Sequence, residues 1–268
     1  MTATGTVPRA LTSVDRDRMY QAAEILLKAR REVLPIRHLP EELRPGSLEE
    51  AYVLQDIVAE AMRDIGGWKV GAPSPDATPL FGPMPLWGGF ATSGSRIAPT
   101  FKRLRGVEAE IAFCLGEDLP PRAEPYTRQE VMDAIASAHP VIELLESAYY
   151  DPDAVDRLSM IGDLQMHGGF VYGKPYAGWK TCDLAKERVN VAVDGALRFE
   201  GKASNPAGTD LLRLVTWLAN AGSYRTGGLK SGQWITTGSW SGKTLANPGS
   251  TAEIRFSTFG EVNVKFDD

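Results

Sequence analysis

The chain has 268 residues, 43% of them hydrophobic and 24% charged, and a formal net charge of −5, the ordinary figures of a folded chain with one large domain or one domain and an appendage. The acidic balance gives no electrostatic footing for nucleic acid or an anionic membrane, and no stretch approaches the ~20 apolar residues of a membrane span. The two cysteines, Cys114 and Cys182, lie far apart without metal-like spacing. They argue against a disulfide framework and a zinc-thiolate site and fit a reducing compartment. The N-terminus has no basic segment leading into an apolar one, so a secretory signal is not expected and the cytoplasm is the expected setting.

Residues 1–10 read as a loose tail. Thr12-x-x-Asp15 opens a helical pattern through Met19, Ala22, Ile25, Leu26 and Ala29, followed by a Pro/Arg-rich link from Leu34 to Pro40. Ser47-x-x-Glu50 is the signature of a capping box before a second amphipathic helix through Leu54, Val58 and Met62. Gly66-Gly67 ends it, and Trp68-Lys69-Val70-Gly71 reads as a short strand. From Ala72 to Pro99 proline and glycine dominate with little periodicity, which predicts a long loop. Thr127-x-x-Glu130 caps a third helix expected to run toward Ala138 and to break at Pro140, ahead of a buried strand, Val141–Leu145. Gly168–Gly173 is another strand, Val189–Phe199 a hairpin about Asp194-Gly195, and Thr209–Ala221 a helix closed by Gly222. Strands are expected at Gln233–Thr237, Ala252–Ser257 and Glu261–Phe266. Nothing repeats at a fixed period, and neither of the glycine-rich phosphate cradles, G-x-G-x-x-G and G-x-x-x-x-G-K-[ST], occurs. Gly238-Ser239-Trp240-Ser241-Gly242 approaches a hydrolase nucleophile elbow but carries Trp240 at its centre.

The chemistry centres on Val107–Leu115. Val107, Ala109, Ile111, Phe113 and Leu115 share one face of a strand, so Glu108 and Glu110 share the other, roughly 6.5–7 Å apart at the backbone. A solvated strand face is the common reading of such a pair; a bound divalent cation is the sharper one, because two like charges on an apolar strand are costly unless neutralised. Glu143, flanked by apolar residues, is a third carboxylate that needs a partner, an arginine or the same cation. Three carboxylates without histidine or cysteine suit Mg²⁺, Mn²⁺ or Ca²⁺ rather than zinc. Lys69 is either a snorkelling lysine or an acid/base or carboxylate clamp, and His167, beside two glycines, is either structural or a proton carrier. His139 reads as a helix cap, His38 as exposed, and Glu146 as a solvated strand end.

Taken in order from Trp68 to Gly249, the segments Trp68–Gly71, Val107–Phe113, Val141–Ser147, Gly168–Gly173, Thr216–Asn220, Leu229–Gly232, Thr237–Ser239 and Pro248-Gly249 resemble the fumarylacetoacetate hydrolase superfamily. The resemblance is to its 2-keto-4-pentenoate hydratase branch, which also contains 4-oxalocrotonate decarboxylases. It implies an α+β fold, a small helical N-terminal region (1–67) packed on a mixed β-roll catalytic domain (68–268), and assembly into homo-oligomers. It implies Mg²⁺ (or Mn²⁺, with Ca²⁺ an option) held by Glu108, Glu110 and Glu143. It further implies catalysis by Lys69 and contacts from Lys69, Gly168 and Ser239 to a small 2-oxo acid; His167, at a place where the chain departs from the branch, is the candidate to take up acid/base duty.

The implied activity is hydration of a 2-hydroxydienoate in aromatic-compound degradation. Decarboxylation of an oxalocrotonate-like diacid, C–C hydrolysis of an acylpyruvate and a binding protein without turnover are the alternatives. The chain departs from the branch at two places: Leu80, in Pro79-Leu80-Phe81-Gly82-Pro83, replaces an expected acid, and Gln165 and His167 replace small polar residues.

Overall fold

The structure, a computed structural model, describes residues 11–98 and 103–268, so the expected N-terminal tail lies outside the described residues. In chain order the first elements are α1 (Ser13–Glu32), α2 (Leu48–Glu60), β1 (Ile65–Gly71), β2 (Leu80–Pro85), β3 (Phe90–Thr92), β4 (Arg96–Ile97), β5 (Gly106–Leu115) and α3 (Arg128–Ala134). There follow β6 (Ile135–Leu145), α4 (Arg157–Gly162), β7 (His167–Tyr172), β8 (Arg188–Val193), β9 (Ala196–Lys202) and α5 (Leu211–Asn220). The chain ends with α6 (Ser223–Thr226), β10 (Trp234–Thr236), β11 (Thr244–Leu245), β12 (Thr251–Phe256) and β13 (Gly260–Phe266). The fold is α+β, as expected. No helix among the described residues is long and apolar enough to cross a membrane, and both cysteines are free.

The chain divides into two compact units, the described residues up to Ala61 with Ser147–Met166, and Met62–Glu146 with His167–Asp268. In the first unit α1, α2 and α4 bury Met19, Ala22, Leu26, Leu54 and Val58. Thr12 and Asp15 form a reciprocal capping box at α1, whereas at α2 Ser47 caps Glu50 but the Glu50 carboxylate accepts from Gly46, one residue further out than expected. Asp163 ties this unit together: its carboxylate accepts from Arg30 Nε at 2.7 Å, Ser147 Oγ at 2.6 Å and the Ala148 N–H at 2.9 Å.

The second unit holds two sheets. The larger has the order β2-β1-β10-β5-β6-β7-β3, with β11 also paired to β5; the smaller has the order β4-β13-β12-β8-β9. In the smaller sheet Val189, Val191, Val193, Ile254, Phe256, Val262 and Val264 are buried in strict alternation, and Asp194-Gly195 makes the two-residue turn of the β8–β9 hairpin with φ of 51° and 75°. The larger sheet is rolled. Tyr172 on β7 and Trp234 on β10 stand three strands apart, roughly 14 Å in a flat sheet, yet their ring centroids are 4.6 Å apart across the concave face. Phe170, Val141, Ala112 and Met84 pack beside them.

Two expectations are corrected. The stretch from Ala72 is not one long loop: β2, β3 and β4 occupy it, and β2 accommodates Pro83 and Pro85 because it ends the strand order, where missing N–H donors break no ladder. The third helix stops at Ala134, and β6 runs straight through Pro140. The Pro140 carbonyl accepts from the Gly173 N–H, so its nitrogen also faces that side, beyond the last β6–β7 pair. Its pairing with Ile111 of β5 therefore needs no donor.

A candidate metal centre of three glutamates

Register places the carboxylates together. Glu108 stands opposite Glu143 and Glu110 opposite Val141, so all three glutamates share one face of the β5–β6 pair. On that same face Thr236 stands opposite Ala112, and Lys69 on β1 is level with Thr236. It is the concave face that carries the aromatic cluster; the glutamates occupy one end of it. One carboxylate oxygen from each of Glu108, Glu110 and Glu143 lies within 4.8 Å of the others. Glu143 and Glu110 are buried and Glu108 is half-buried.

Each carboxylate is aimed by neighbours. Glu110 Oε2 accepts from the Thr236 hydroxyl and from the Gly238 N–H at 3.0 Å. The Ser239 hydroxyl donates to Glu108, whose charge is also balanced by Lys69 and Lys243. Glu143 Oε1 accepts from Lys69 Nζ at 2.6 Å and from His167 Nδ1 at 3.0 Å. Glu143 Oε2 is buried and has no hydrogen-bond partner among the described residues.

Electrostatics divide the trio. Burial and the charge on Glu143 push Glu108 up to about 7, against the pull of the two lysines. Burial and the two neighbouring carboxylates hold Glu110 well above the usual range. Burial would raise Glu143 too, but the Lys69 ammonium and the His167 hydrogen bond outweigh it and the carboxyl is lowered. Lys69 mirrors this: burial alone would lower it, and attraction to Glu143, Glu108 and Glu110 keeps the ammonium above its ordinary value. An excess of buried carboxylate with one orphaned oxygen fits a hard divalent cation, since the chain's own cations leave that charge incompletely balanced.

Lys69, His167 and Ser239 thus join the glutamates. Gly168 joins through its backbone: it is the extra residue of a bulge, as Leu144 pairs with Gly169 but Leu145 with His167. Leu80, opposite Gly71, lies on the same sheet face as Lys69. His139 is a β6 residue rather than a helix cap, its ring nitrogens 2.8 Å from the Gly173 carbonyl and the Ser137 hydroxyl and its ring against Trp234. Glu146 is buried rather than solvated, accepting from the Leu104 N–H at 3.1 Å, and His38 is exposed as expected. Thr236, Gly238 and Lys243 were not anticipated. The signal available for the first was a pair of threonines, Thr236-Thr237, closing an apolar strand; Lys243 carried none.

No protein-family model matches the chain. A curated relative, the TodF product hydratase of Pseudomonas putida F1, is 27% identical over 92% of this chain and 94% of its own. Among solved structures, the 4-oxalocrotonate decarboxylase of Pseudomonas putida G7, complexed with magnesium and adipate, superposes with a TM-score of 0.80 at 22% identity over 96% of this chain and 99% of that one. The fumarylpyruvate hydrolase of Pseudomonas aeruginosa, in complex with Mn²⁺ and pyruvate, gives 0.54 at 14% identity over 75% and 88%. The chain thus shares its fold with the decarboxylase and the hydrolase and is similar along nearly its whole length to the hydratase.

Proposed function

We propose that the protein is a divalent-metal-dependent hydratase of a 2-hydroxydienoate or 2-oxo-enoate, such as 2-keto-4-pentenoate, in aromatic-compound degradation. The observation that carries this reading is the converging trio Glu108, Glu110 and Glu143, with Lys69 bonded to one of them, in a chain whose curated relative is a hydratase. Mg²⁺ or Mn²⁺ held by the trio would supply positive charge for the adjacent carboxylate and 2-oxo oxygens of the substrate.

The rest falls to the chain. Lys69 is an ammonium at neutral pH, so it enters as the acid: it donates to the dienol terminus as the 2-hydroxyl proton leaves to solvent, and as the neutral amine it then takes the proton of the water that adds at C4, while C3 takes a proton from solvent. Ketonisation gains a proton at the terminal carbon and loses one from the enol oxygen, and hydration gains one at C3 and loses one from water, so both steps balance and Lys69 ends as an ammonium. The apolar wall of Phe170, Tyr172 and Trp234 continues the same face and suits a short hydrocarbon chain.

Two alternatives have an observation behind them. Decarboxylation of an oxalocrotonate-like diacid is favoured by the fold likeness to the decarboxylase. Acylpyruvate hydrolysis asks for a histidine–carboxylate pair, and His167 does meet Glu143, but that carboxylate is already engaged by Lys69. Incubation with Mg²⁺ or Mn²⁺ and, separately, a 2-hydroxydienoate, an oxalocrotonate and an acylpyruvate, followed by proton NMR, separates the three. A 4-hydroxy-2-oxo acid from the dienoate is expected. Loss of CO₂ from the diacid without hydration, or pyruvate from the acylpyruvate alone, would replace this reading.

A further inference from the structure

Glu143 is approached asymmetrically. Both donors, Lys69 Nζ and His167 Nδ1, address Oε1, while Oε2 is left buried and without a hydrogen-bond partner among the described residues. A carboxylate oxygen offers two lone-pair directions and only accepts. Oε1 is therefore filled, Nδ1 must carry the imidazole proton, and Oε2 is the atom left for a cation. We infer that His167 is a positioning residue of the metal centre: by holding Glu143 Oε1 through its Nδ1–H, it restricts Glu143 to a single ligand oxygen, Oε2. The inference rests on the metal reading above.

Two features single out His167 over Lys69 for this task. Lys69 is a flexible point charge with its own proton chemistry, so its grip on Oε1 changes as it gives up a proton. His167 is 2% exposed and stands on a strand rather than a loop. Its direction comes from the bulge. In unbroken alternation with Phe170, which stands opposite Glu143, Gly168 would point to the concave face and His167 away from it. The extra residue at Gly168 pairs His167 with Leu145, two residues from Glu143 on β6 and on the same face as it. Only glycine fits the bulge: a Cβ there would lie 2.6 Å from the Glu146 Cβ and 2.8 Å from its backbone nitrogen. One oxygen from each glutamate would leave a bound cation positions for substrate and water, whereas a two-oxygen grip by Glu143 would take one of them.

The test compares amide replacements that mimic one ring nitrogen each. The side-chain nitrogen of Asn in His167→Asn falls near Nδ1, and that of Gln in His167→Gln falls near Nε2; His167→Phe keeps the bulk without a donor. Mn²⁺ affinity is measured by electron paramagnetic resonance and calorimetry, with Glu110→Gln as control. Wild type should bind Mn²⁺ and Glu110→Gln should not; failure of wild type to bind would remove the metal reading itself. Given binding, His167→Asn should stay within about threefold of wild type, and His167→Gln and His167→Phe should fall by about 10–100-fold, the usual loss when a ligand's outer partner is removed. Should the Phe variant unfold, the Asn–Gln pair decides alone. Unchanged affinity in both amide variants, rescue by Gln rather than Asn, or equal losses in the two would overturn the inference.

Discussion

Burial and the charge of Glu143 push Glu108 up to about 7, and burial with the charges of Glu143 and Glu108 holds Glu110 well above the ordinary carboxylate range. In an unfolded chain such groups titrate near 4.3. As pH rises through the interval between those values, the unfolded state loses protons that the folded state keeps, so the metal-free protein loses stability toward neutrality. A cation needs the carboxylates deprotonated, so its binding expels those protons and strengthens over the same interval. The rise in Tm on adding Mn²⁺ should therefore be small at pH 5.5 and large at pH 8, as read by thermal melts with and without the ion. An equal rise at both would mean the trio is already ionised. At this scale much was legible: alternation alone put Glu108 and Glu110 on one face, and Glu143 stood out as a charge among apolar neighbours. The hydrogen bonds from Thr236 and Gly238 were not, because β10 is far from β5 in sequence and only sheet pairing joins them.

Elements were legible where one rule governed them and obscure where two competed. The hairpin at Asp194-Gly195 and the α1 cap follow local chemistry and appear as expected. Pro140 reads as the break of the third helix because proline lacks a helical N–H donor, yet it lies inside β6, where its nitrogen faces the side on which β7 has ended. The Gly168 bulge hid the position of His167, since period-two reasoning sends that side chain to the wrong face. Gly168→Ala tests the element as a whole. The added methyl meets Glu146 and the Leu144 carbonyl at 3.0 Å or less, atoms of the adjoining strand end that cannot all yield. A destabilisation of about 1–3 kcal/mol in chemical denaturation is expected from such overpacking, accompanied by weaker Mn²⁺ binding as His167 is displaced. Wild-type stability and affinity together would show that the bulge tolerates a side chain. The exposed α3 cap offers a contrast. Hydrogen bonds from Thr127 and Arg122 hold Glu130 at about 2, so its contribution is present above about 4.3 and fades as pH falls toward 2. Thr127→Ala should cost about 1 kcal/mol at neutral pH, and less in melts at pH 3.

Across the whole molecule, the chain's return to its helical unit at Ser147–Met166 had no sequence signal of its own, because the groups that attach it, the Ile36–Tyr149 bridge, the Gln55 bond to the Ile161 carbonyl and Asp163, come from scattered single residues. Asp163 carries a fully buried carboxylate that accepts from Arg30, Ser147 and the Ala148 backbone, and its carbonyl accepts from Arg30 as well, at 2.9 Å. The two ways of breaking this knot are unequal. Arg30→Met removes the guanidinium but leaves the carboxylate two donors within its own segment. Asp163→Ala takes the carboxylate away from a buried guanidinium, a serine hydroxyl and a backbone N–H together. Removing one partner of a buried ion pair costs about 3–5 kcal/mol, chiefly through the charge left behind. Both variants should therefore unfold at lower denaturant, with Asp163→Ala the worse by about 1–2 kcal/mol because two further donors, Ser147 Oγ and the Ala148 N–H, lose their bond to the carboxylate. Equilibrium unfolding followed by far-UV circular dichroism measures the difference. The reverse order would mean that Arg30, rather than Asp163, is the residue on which the segment's attachment turns.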